Sequence, residues 1–282
     1  MGKHFFKTLF ILGIVTLSSC ARVDLPPVPP ILPYQPSALL AQKSKTVHEI
    51  LVAIPENKPP YFNGMSDDGI ERDIIQESFS LLGKSPNFIE TADRKKKYDA
   101  SENQISCVST ISEEYKLTSE SYFSDPVISY YYKMFTLKKK NIVLNSYDDL
   151  AGKAVEAFSS GTTYLGEDFK RVIPKMLTYS EHINRSSQVA LLLLGRVDVL
   201  IIDHNMFHFI RKNLLNTRRE AYDGEVTEAP IEKKMDLKIA CHNKETVEGF
   251  NKGLSILRST GRYQAIFEHY LPNFEQYLPN GV

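Results

Sequence analysis

Several marks of common protein classes are missing from this sequence of 282 residues. Its 34 basic and 34 acidic residues cancel, so the overall charge gives no sign of a nucleic-acid partner. No G-x-S-x-G, Walker A or G-x-G-x-x-G motif occurs, which removes the usual sequence signs of an α/β-hydrolase, a P-loop or a dinucleotide site. Only one long apolar run is present, at the N-terminus, and membrane association is therefore expected there alone.

The N-terminus has the pattern of an export signal. Residues 1–7 are basic, and the apolar run 8–17 is too short to span a bilayer but fits a signal peptide. It leads into LSSC at 17–20, which resembles the bacterial lipobox. This resemblance implies a signal peptide at 1–19 and a lipidated Cys20 that anchors the exported chain to a bacterial membrane, at the periplasmic face or the cell surface. The alternative is an ordinary signal peptide with a chance cysteine.

Proline dominates the segment that begins at Cys20. Residues 20–46 include the run PPVPPILPYQP, which favours extended polyproline structure and cannot form a core. We interpret this segment as a tether between the lipid and the folded part. At ~3 Å per residue, ~25 residues reach on the order of 75 Å when fully extended.

From residue 47 onward, predicted strands and helices alternate. Strands are predicted at 49–54, 87–90, 105–108, 153–158, 177–178, 198–203 and 235–241, and a long strand follows the turn at 125–126. Helices are predicted at 71–82, 94–103, 147–150, from 161, and at 186–194, 204–215, 245–258 and 261–270, with a loop at 217–227. This alternation favours an α/β fold with mostly parallel sheets.

Five short motifs, taken in order, carry a resemblance to a known family. They are TISEE at 110–114, FSDP at 123–126, LAGK at 150–153, SGTT at 160–163 and ALLLLGRVDVLIID at 190–203. With the C-terminal helix pair, they resemble the family 3 extracellular solute-binding proteins, the two-lobed amino-acid-binding receptors of ABC importers. Each motif is loose alone, and it is their order over residues 47–275 that makes the match specific.

The resemblance implies a type II periplasmic-binding-protein fold, in which two α/β lobes are joined by two crossover strands. Lobe 1 is then discontinuous, at 47–137 and 231–282, and lobe 2 lies at 138–230. The chain is expected to cross between the lobes near 134–138 and again near 230–235.

The sequence contains only three cysteines. With Cys20 lipidated, Cys107 and Cys241 remain, and both fall in the expected lobe 1. An exported compartment permits a disulfide between them. Two separate buried thiols are an equal alternative.

The resemblance also implies a ligand held between the lobes. Thr110 and the turn Gly161-Thr162-Thr163 are then expected to contact the ligand, and Asp203, at the tip of an apolar strand, is expected to take a ligand cation. The physics of open parallel sheets agrees, because strand carboxyl ends and helix N-termini collect unpaired N–H groups. The alternatives are a helix N-terminal turn that binds nothing and an Asp203 that only caps the following helix.

Three departures from the family pattern bear on the ligand. Tyr115 stands where the family has its carboxylate-binding arginine, and a phenol does not replace a guanidinium fork. Pro55 stands where an acid is usual. The ligand-stacking aromatic falls near Lys58, with Tyr61 close by. Lys58, Tyr61 and Tyr115 are still expected to be among the residues that contact the ligand. These changes disfavour an ordinary α-amino acid and leave a cationic, amide-rich or modified solute, or a site that has lost transport.

His204 and His208 have the i, i+4 spacing of metal ligands on a predicted helix. No Glu completes an H-E-x-x-H motif, and no third ligand is evident from the sequence. We therefore expect ordinary surface or packed histidines there, with no metal and no cofactor.

The sequence thus predicts a lipid-anchored, monomeric solute-binding protein that closes on a small polar, amino-acid-like or cationic ligand. It would deliver that ligand to the inner-membrane permease of an ABC importer and would not be an enzyme. One alternative is a sensor or assembly lipoprotein that reuses the fold without transport. Another is a dehydratase-like enzyme in which acidic groups in a closed cleft serve as general acids.

Overall fold

The computed structural model describes residues 48–64, 66–100, 105–112 and 115–271. The expected signal peptide, Cys20 and the tether lie outside the described residues. Among the helices that are described, none is both long and apolar enough to cross a membrane.

The first part of the chain forms three adjacent strands and two helices. The elements are β1 (His48–Ile54), α1 (Ile70–Ser80), β2 (Lys84–Glu90), α2 (Arg94–Ala100) and β3 (Cys107–Ile111). Strand β1 lies between β2 and β3 and is parallel to both. We call β2, β1 and β3 the first half-sheet.

Helix α1 covers the first half-sheet with its apolar side. Ile70, Ile74 and Phe79 recur at helical spacing and are fully buried. The helix ends two residues earlier than predicted, at Ser80.

Two long strands carry the chain between the two parts of the molecule. After the short strand β4 (Tyr122–Phe123), β5 (Ile128–Leu137) pairs antiparallel with β9 (Val226–Cys241) along its whole length, from Ile128 opposite Leu237 to Leu137 opposite Val226. We call β5 and β9 the crossing ribbon.

The middle of the chain repeats the strand–helix alternation. Its elements are β6 (Ala154–Phe158), α3 (Gly161–Tyr164), α4 (Glu167–Val172), β7 (Thr178–His182), α5 (Arg185–Leu193), β8 (Val199–Asp203) and α6 (His204–Tyr222). Strand β6 lies parallel between β7 and β8, and we call these three the second half-sheet. Strand β8 also pairs with β5 of the crossing ribbon, antiparallel.

The last two helices, α7 (Lys244–Ser259) and α8 (Arg262–Tyr270), return to the first half-sheet. Helix α7 approaches α1 so closely that a Cβ on Gly253 would lie 1.9 Å from the backbone oxygen of Ser78, which explains a glycine inside a helix. Arg262 of α8 donates two hydrogen bonds of 2.8 Å to Glu77 of α1. These contacts join the C-terminal helices to the first part of the chain.

The nine strands in the described part of the chain belong to one hydrogen-bonded sheet, with β2-β1-β3-β9-β5-β8-β6-β7 in order and β4 beside β9. The two half-sheets are therefore linked through the crossing ribbon rather than by separate connections. A large apolar core extends across this sheet. A smaller cluster, including Tyr98 of α2 and Val108 of β3, lies on the other side of the first half-sheet.

The secondary structure of residues 217–241 differs from the sequence-based prediction. The helix is interrupted at Arg218, close to the predicted start of the loop at 217, but α6 continues beyond this kink to Tyr222. Strand β9 follows after three residues. Strand β9 begins nine residues before the predicted start at Met235. Pro230 hid this strand, because proline disfavours a central strand. Here the pairing register with β5 shifts between Glu232 and Glu228, and proline is tolerated at such an irregularity.

The structure also decides between the two alternatives for the cysteines. Cys107 and Cys241 lie opposite each other on β3 and β9 and form a disulfide, with both residues fully buried. The bridge joins the first half-sheet to the end of the crossing ribbon.

Candidate functional site

A cavity of about 400 Å³ lies where strands of both half-sheets end. Its walls come from the segments that follow β1, β2, β6 and β7, together with residues of β3, β5 and β9. The carboxyl ends of parallel strands are where open α/β sheets bind ligands. The cavity is therefore at the place that the fold predicts.

The cavity wall is rich in cations. Five basic side chains contribute to it, against two acidic ones; they are Lys58, Arg94, Lys95, Lys96 and Arg185, and Glu56 and Asp93. The basic groups come from both sides of the cavity, since Lys58 follows β1, Arg94 begins α2 and Arg185 begins α5. A cavity with this excess of positive charge attracts anions.

Backbone oxygens hold Arg94 in place. Its Nε donates to the carbonyl oxygen of Ser109 at 3.1 Å, and one terminal nitrogen donates to the carbonyl oxygen of Thr110 at 3.2 Å. These bonds fix the guanidinium at the end of β3. Both acceptors are neutral, so the charge of Arg94 is balanced only in part, by the buried carboxyl of Glu71.

Burial and mutual repulsion weaken the protonated state of two lysines. Burial is the main reason that the pKa of Lys58 is lowered to about 7; the charge of Glu71 opposes this shift, and the charges of Arg94 and Arg185 contribute to it. Burial and then the charge of Arg94 lower the pKa of Lys95 to about 7. The cavity therefore carries crowded positive charge that a bound anion would relieve.

Lys95 also connects the two sides of the cavity. Its Nζ lies 3.3 Å from the ring centroid of Tyr115 and 3.1 Å from the hydroxyl of Tyr164, which belongs to α3. On the other side, the rings of Tyr132 and Phe158 stack at 3.8 Å. The cavity thus has an aromatic surface beside its cationic one.

Three of the predicted site residues line this cavity, namely Lys58, Thr110 and Tyr115. Thr110 has a left-handed backbone, with φ of 57°. Its hydroxyl donates to Glu71 at 2.8 Å, and Tyr130 donates to the other oxygen of Glu71 at 3.2 Å. The hydroxyl of Thr110 is thus engaged inside the protein.

The predicted turn binds a carboxylate, but that carboxylate is the protein's own. The amides of Ser160 and Thr162 donate to the two oxygens of Glu181 at 2.7 and 2.6 Å, and the hydroxyl of Thr162 donates at 2.5 Å. Burial opposes ionisation of Glu181, yet these bonds together hold its pKa below the ordinary value. Glu181 thus occupies the amides of Ser160 and Thr162 in this structure, and the ligand contact expected for Gly161, Thr162 and Thr163 stays a prediction.

Asp203 is a helix cap in this structure. Its carboxyl is 1% exposed and accepts hydrogen bonds from the amides of Met206 at 2.9 Å and Tyr131 at 3.0 Å and from the hydroxyl of Tyr61 at 2.6 Å. Burial raises its pKa, and the three hydrogen bonds oppose that shift. The alternative of a capping residue therefore replaces the expected contact with a ligand cation.

Tyr61 is likewise a core residue. It is fully buried and stacks on Tyr130 with ring centroids 4.2 Å apart. Its ring is therefore not available to stack on a ligand, contrary to the expectation.

Arg94, Lys95 and Arg185 line the cavity but were not predicted from the sequence as site residues. One signal was present. All three lie in the first turn of a helix that follows a strand, where the helix dipole disfavours cations. Cations at two such helix starts indicate a site for an anion.

Outside the cavity, one further cluster has the composition of a metal site. His204, His208 and Glu228 each place a donor atom within 4.8 Å of the others. Glu228 corrects the expectation that no third ligand accompanies the histidine pair, because the unpredicted first part of β9 supplies it.

Comparisons with known proteins place this fold. No family model matches the sequence, and no curated protein matches it. Among solved structures, a histidine kinase sensor domain with similarity to periplasmic binding proteins superimposes with a TM-score of 0.64 at 18% identity, covering 80% of this chain and 97% of that domain.

Two ligand complexes are also similar. An ancestral arginine-binding protein bound to arginine gives a TM-score of 0.61 at 22% identity, covering 79% of this chain and 98% of that one. The ligand-binding core of GluR0 with L-glutamate gives 0.63 at 12% identity, covering 81% and 100%. Together with the topology and the cavity at the strand ends, these likenesses show that the chain has the α/β fold of the periplasmic binding proteins.

Proposed function

We propose that this chain is an exported solute-binding protein whose cavity closes on a small anionic solute, such as a di- or tricarboxylate or a phosphorylated metabolite. The observation that carries the proposal is the excess of cations at the strand ends, five basic side chains against two acidic ones. The cationic ligand expected from the sequence is not retained, because its intended partner Asp203 is enclosed as a helix cap.

Cations from both sides of the cavity would grip one anion. Arg94 lies on the side of the first half-sheet and Arg185 on the side of the second, and both lower the pKa of Lys58 through charge repulsion. An anion placed among them replaces repulsion with charge-assisted hydrogen bonds, which are worth about 1.5–3 kcal/mol each. Because these bonds come from both sides, ligand binding favours the closed arrangement.

The place and partners of the protein are part of the same proposal. The LSSC motif at 17–20 supports a lipid anchor at Cys20. The resemblance to the ABC-importer receptors supports delivery of the ligand to an inner-membrane permease by a monomer that is not itself an enzyme. The likeness to a histidine kinase sensor domain supports the second candidate, a sensor that binds the same ligand class and passes a signal to a protein partner instead.

A thermal-shift screen with the full chain tests the ligand class. The probes are succinate, citrate, glucose 6-phosphate, glutamate, arginine and spermidine. We expect the multivalent anions to raise the melting temperature and arginine and spermidine to leave it unchanged. Stabilisation by the cations alone would contradict the proposal.

A matched pair of arginine variants separates the cavity from general charge effects. Arg185→Gln removes a cavity cation, whereas Arg196→Gln removes an exposed arginine outside the cavity wall. Arg185→Gln is expected to reduce anion affinity ten- to over a hundredfold, as the loss of one charge-assisted bond predicts. Equal affinities of the two variants would show that the anion binds elsewhere.

A further inference from the structure

The start of α6 and the first part of β9 bring two imidazoles and a carboxylate together. His204 and His208 lie one turn apart on α6, and Glu228 lies on β9 opposite Phe135 of β5. Nδ1 of His204 is 3.0 Å from Oε2 of Glu228, and Nε2 of His208 is 3.9 Å from the same oxygen. None of the three lines the cationic cavity.

These separations suit a small divalent ion. Zinc bonds to imidazole nitrogen and carboxylate oxygen at ~2.0–2.2 Å, so its donor atoms lie ~3.4 Å apart in a tetrahedral site. The distances of 3.0 and 3.9 Å bracket that value. All the donor atoms lie within 4.8 Å of one another, so side-chain movements would bring them around one ion.

A second layer of contacts already orients the carboxylate. Nζ of Lys133 lies 3.2 Å from Oε1 of Glu228 and 2.9 Å from Glu232. Lys133 therefore holds the oxygen that faces away from the histidines and leaves Oε2 toward them. Carboxylates that bind metals are usually held in this way by an outer partner. The one lysine and two glutamates sum to a single negative charge, which favours a cation.

The surroundings also resemble those of a functional metal site. The ring of His208 packs edge-on against Phe135 at 5.9 Å and Phe207 at 5.3 Å, so one side of the cluster is apolar. The side chains of His204, His208 and Glu228 are 14%, 26% and 29% exposed. The cluster is thus partly shielded and still open to an ion from solvent.

We propose that His204, His208 and Glu228 form a binding site for a divalent transition-metal ion, with zinc as the best fit. Two imidazoles and one carboxylate are a donor set that zinc uses with water in the remaining position. The ion would replace the direct contact between His204 and Glu228 and would fasten the start of α6 to the crossing ribbon. This proposal does not depend on the ligand proposed for the cavity.

The test is zinc titration of the full chain by calorimetry, at pH 7.5, after chelator treatment and without a histidine tag or reductant. Cys20→Ser is titrated in parallel, because a free thiol also binds zinc. We expect about one equivalent of zinc to bind, and zinc to raise the melting temperature of the wild type, since an ion that binds only the folded state stabilises it. Failure of the wild type to bind zinc, or loss of all binding in Cys20→Ser, would overturn the proposal.

Three variants locate the site. His208→Asn and Glu228→Gln should each weaken zinc binding at least tenfold, because removing even an outer partner of a ligand typically costs about 10–100-fold in affinity. His182→Asn is the matched control, because His182 also faces a carboxylate, Glu156, at 3.5 Å, but lies outside the three-residue cluster. Unchanged affinity in the double variant His208→Asn/Glu228→Gln would place the ion elsewhere and overturn the assignment.

Melting temperatures in chelator show whether the variants fold. If they do not fold, the absorption spectrum of the cobalt-loaded wild type decides. Intense visible bands of a nitrogen- and oxygen-ligated, low-coordinate ion support the site, and a spectrum identical to aqueous cobalt contradicts it.

Discussion

The two half-sheets present their strand ends to the cavity in different ways. The first supplies cations, with Lys58 after β1 and Arg94 after β2, and the buried carboxyl of Glu71 offsets part of their charge. On the second, the groups that the family pattern marks for ligand binding are already satisfied, because Glu181 fills the turn after β6 and Asp203 caps α6. A motif can thus mark the right place in a fold without showing whether its polar groups remain available.

The largest difference between the two half-sheets is the disulfide bond, which stabilises only the first. The disulfide Cys107–Cys241 fastens the first half-sheet to β9, and the sequence offers no cysteine within the second half-sheet. Replacing both cysteines by alanine should cost about 2–5 kcal/mol of unfolding free energy. Chemical denaturation followed by hydrogen exchange should show the loss concentrated in β1 and β3, and an even loss over both half-sheets would contradict this account.

Emptying the turn after β6 should make the second half-sheet more like an open ligand site. Glu181→Ala removes the carboxylate that the amides of Ser160 and Thr162 now bind. Unsatisfied donors cost about 1–3 kcal/mol, so the melting temperature should fall. Added acetate should restore part of it, and Tyr179→Phe, which removes a neighbouring hydroxyl that also bonds Glu181 at 2.6 Å, should show no acetate rescue. Absence of rescue in Glu181→Ala would argue against an anion-binding turn.

Because two lysines of the cavity have lowered pKa values, we expect pH to change the stability of the protein and its affinity for anions in opposite directions. The pKa of Lys58 and of Lys95 is lowered from 10.5 to about 7. Above pH 7 the unfolded chain therefore binds more protons than the folded one, and the stability of the unliganded protein should rise with pH toward 10.

Anion binding needs the protonated lysines. Affinity should therefore fall about tenfold between pH 6 and pH 8, roughly the loss of one charge-assisted bond. Denaturation over this pH range measures the slope of stability against pH, and calorimetric titration measures the slope of anion affinity against pH. Lys58→Met/Lys95→Met should flatten them, and an affinity that is constant across this range would contradict a role for these two lysines in binding.

The order of strands and helices could be predicted because apolar periodicity and turn residues report it locally. The end of α6 could not, since its residues from Asn216 to Ala221 are all exposed and carry no apolar repeat. The first part of β9 was missed for a related reason, because Pro230 and the charged residues around it conceal a strand that pairing with β5 supports.

The site was harder to predict than the fold. An acid at the end of an apolar strand is suited both to capping a helix and to binding a cation, and Asp203 occupies the same sequence position in either case. The choice depends on Tyr61, which is 142 positions away and donates to it. Likewise, Arg94 became a site residue only when the end of β3 was placed beside it.

The proposed function requires that the cavity cations, Arg94 among them, hold the ligand, and not the motif acid Asp203 of the second half-sheet. Calorimetric titration of the best anionic hit against Arg94→Gln and Asp203→Asn tests it most directly. We predict that Arg94→Gln loses ten- to over a hundredfold in affinity, while Asp203→Asn binds within about threefold of wild type and loses about 1–3 kcal/mol of stability through its broken cap. The reverse result, a wild-type affinity in Arg94→Gln with a large loss in Asp203→Asn, would contradict the claim.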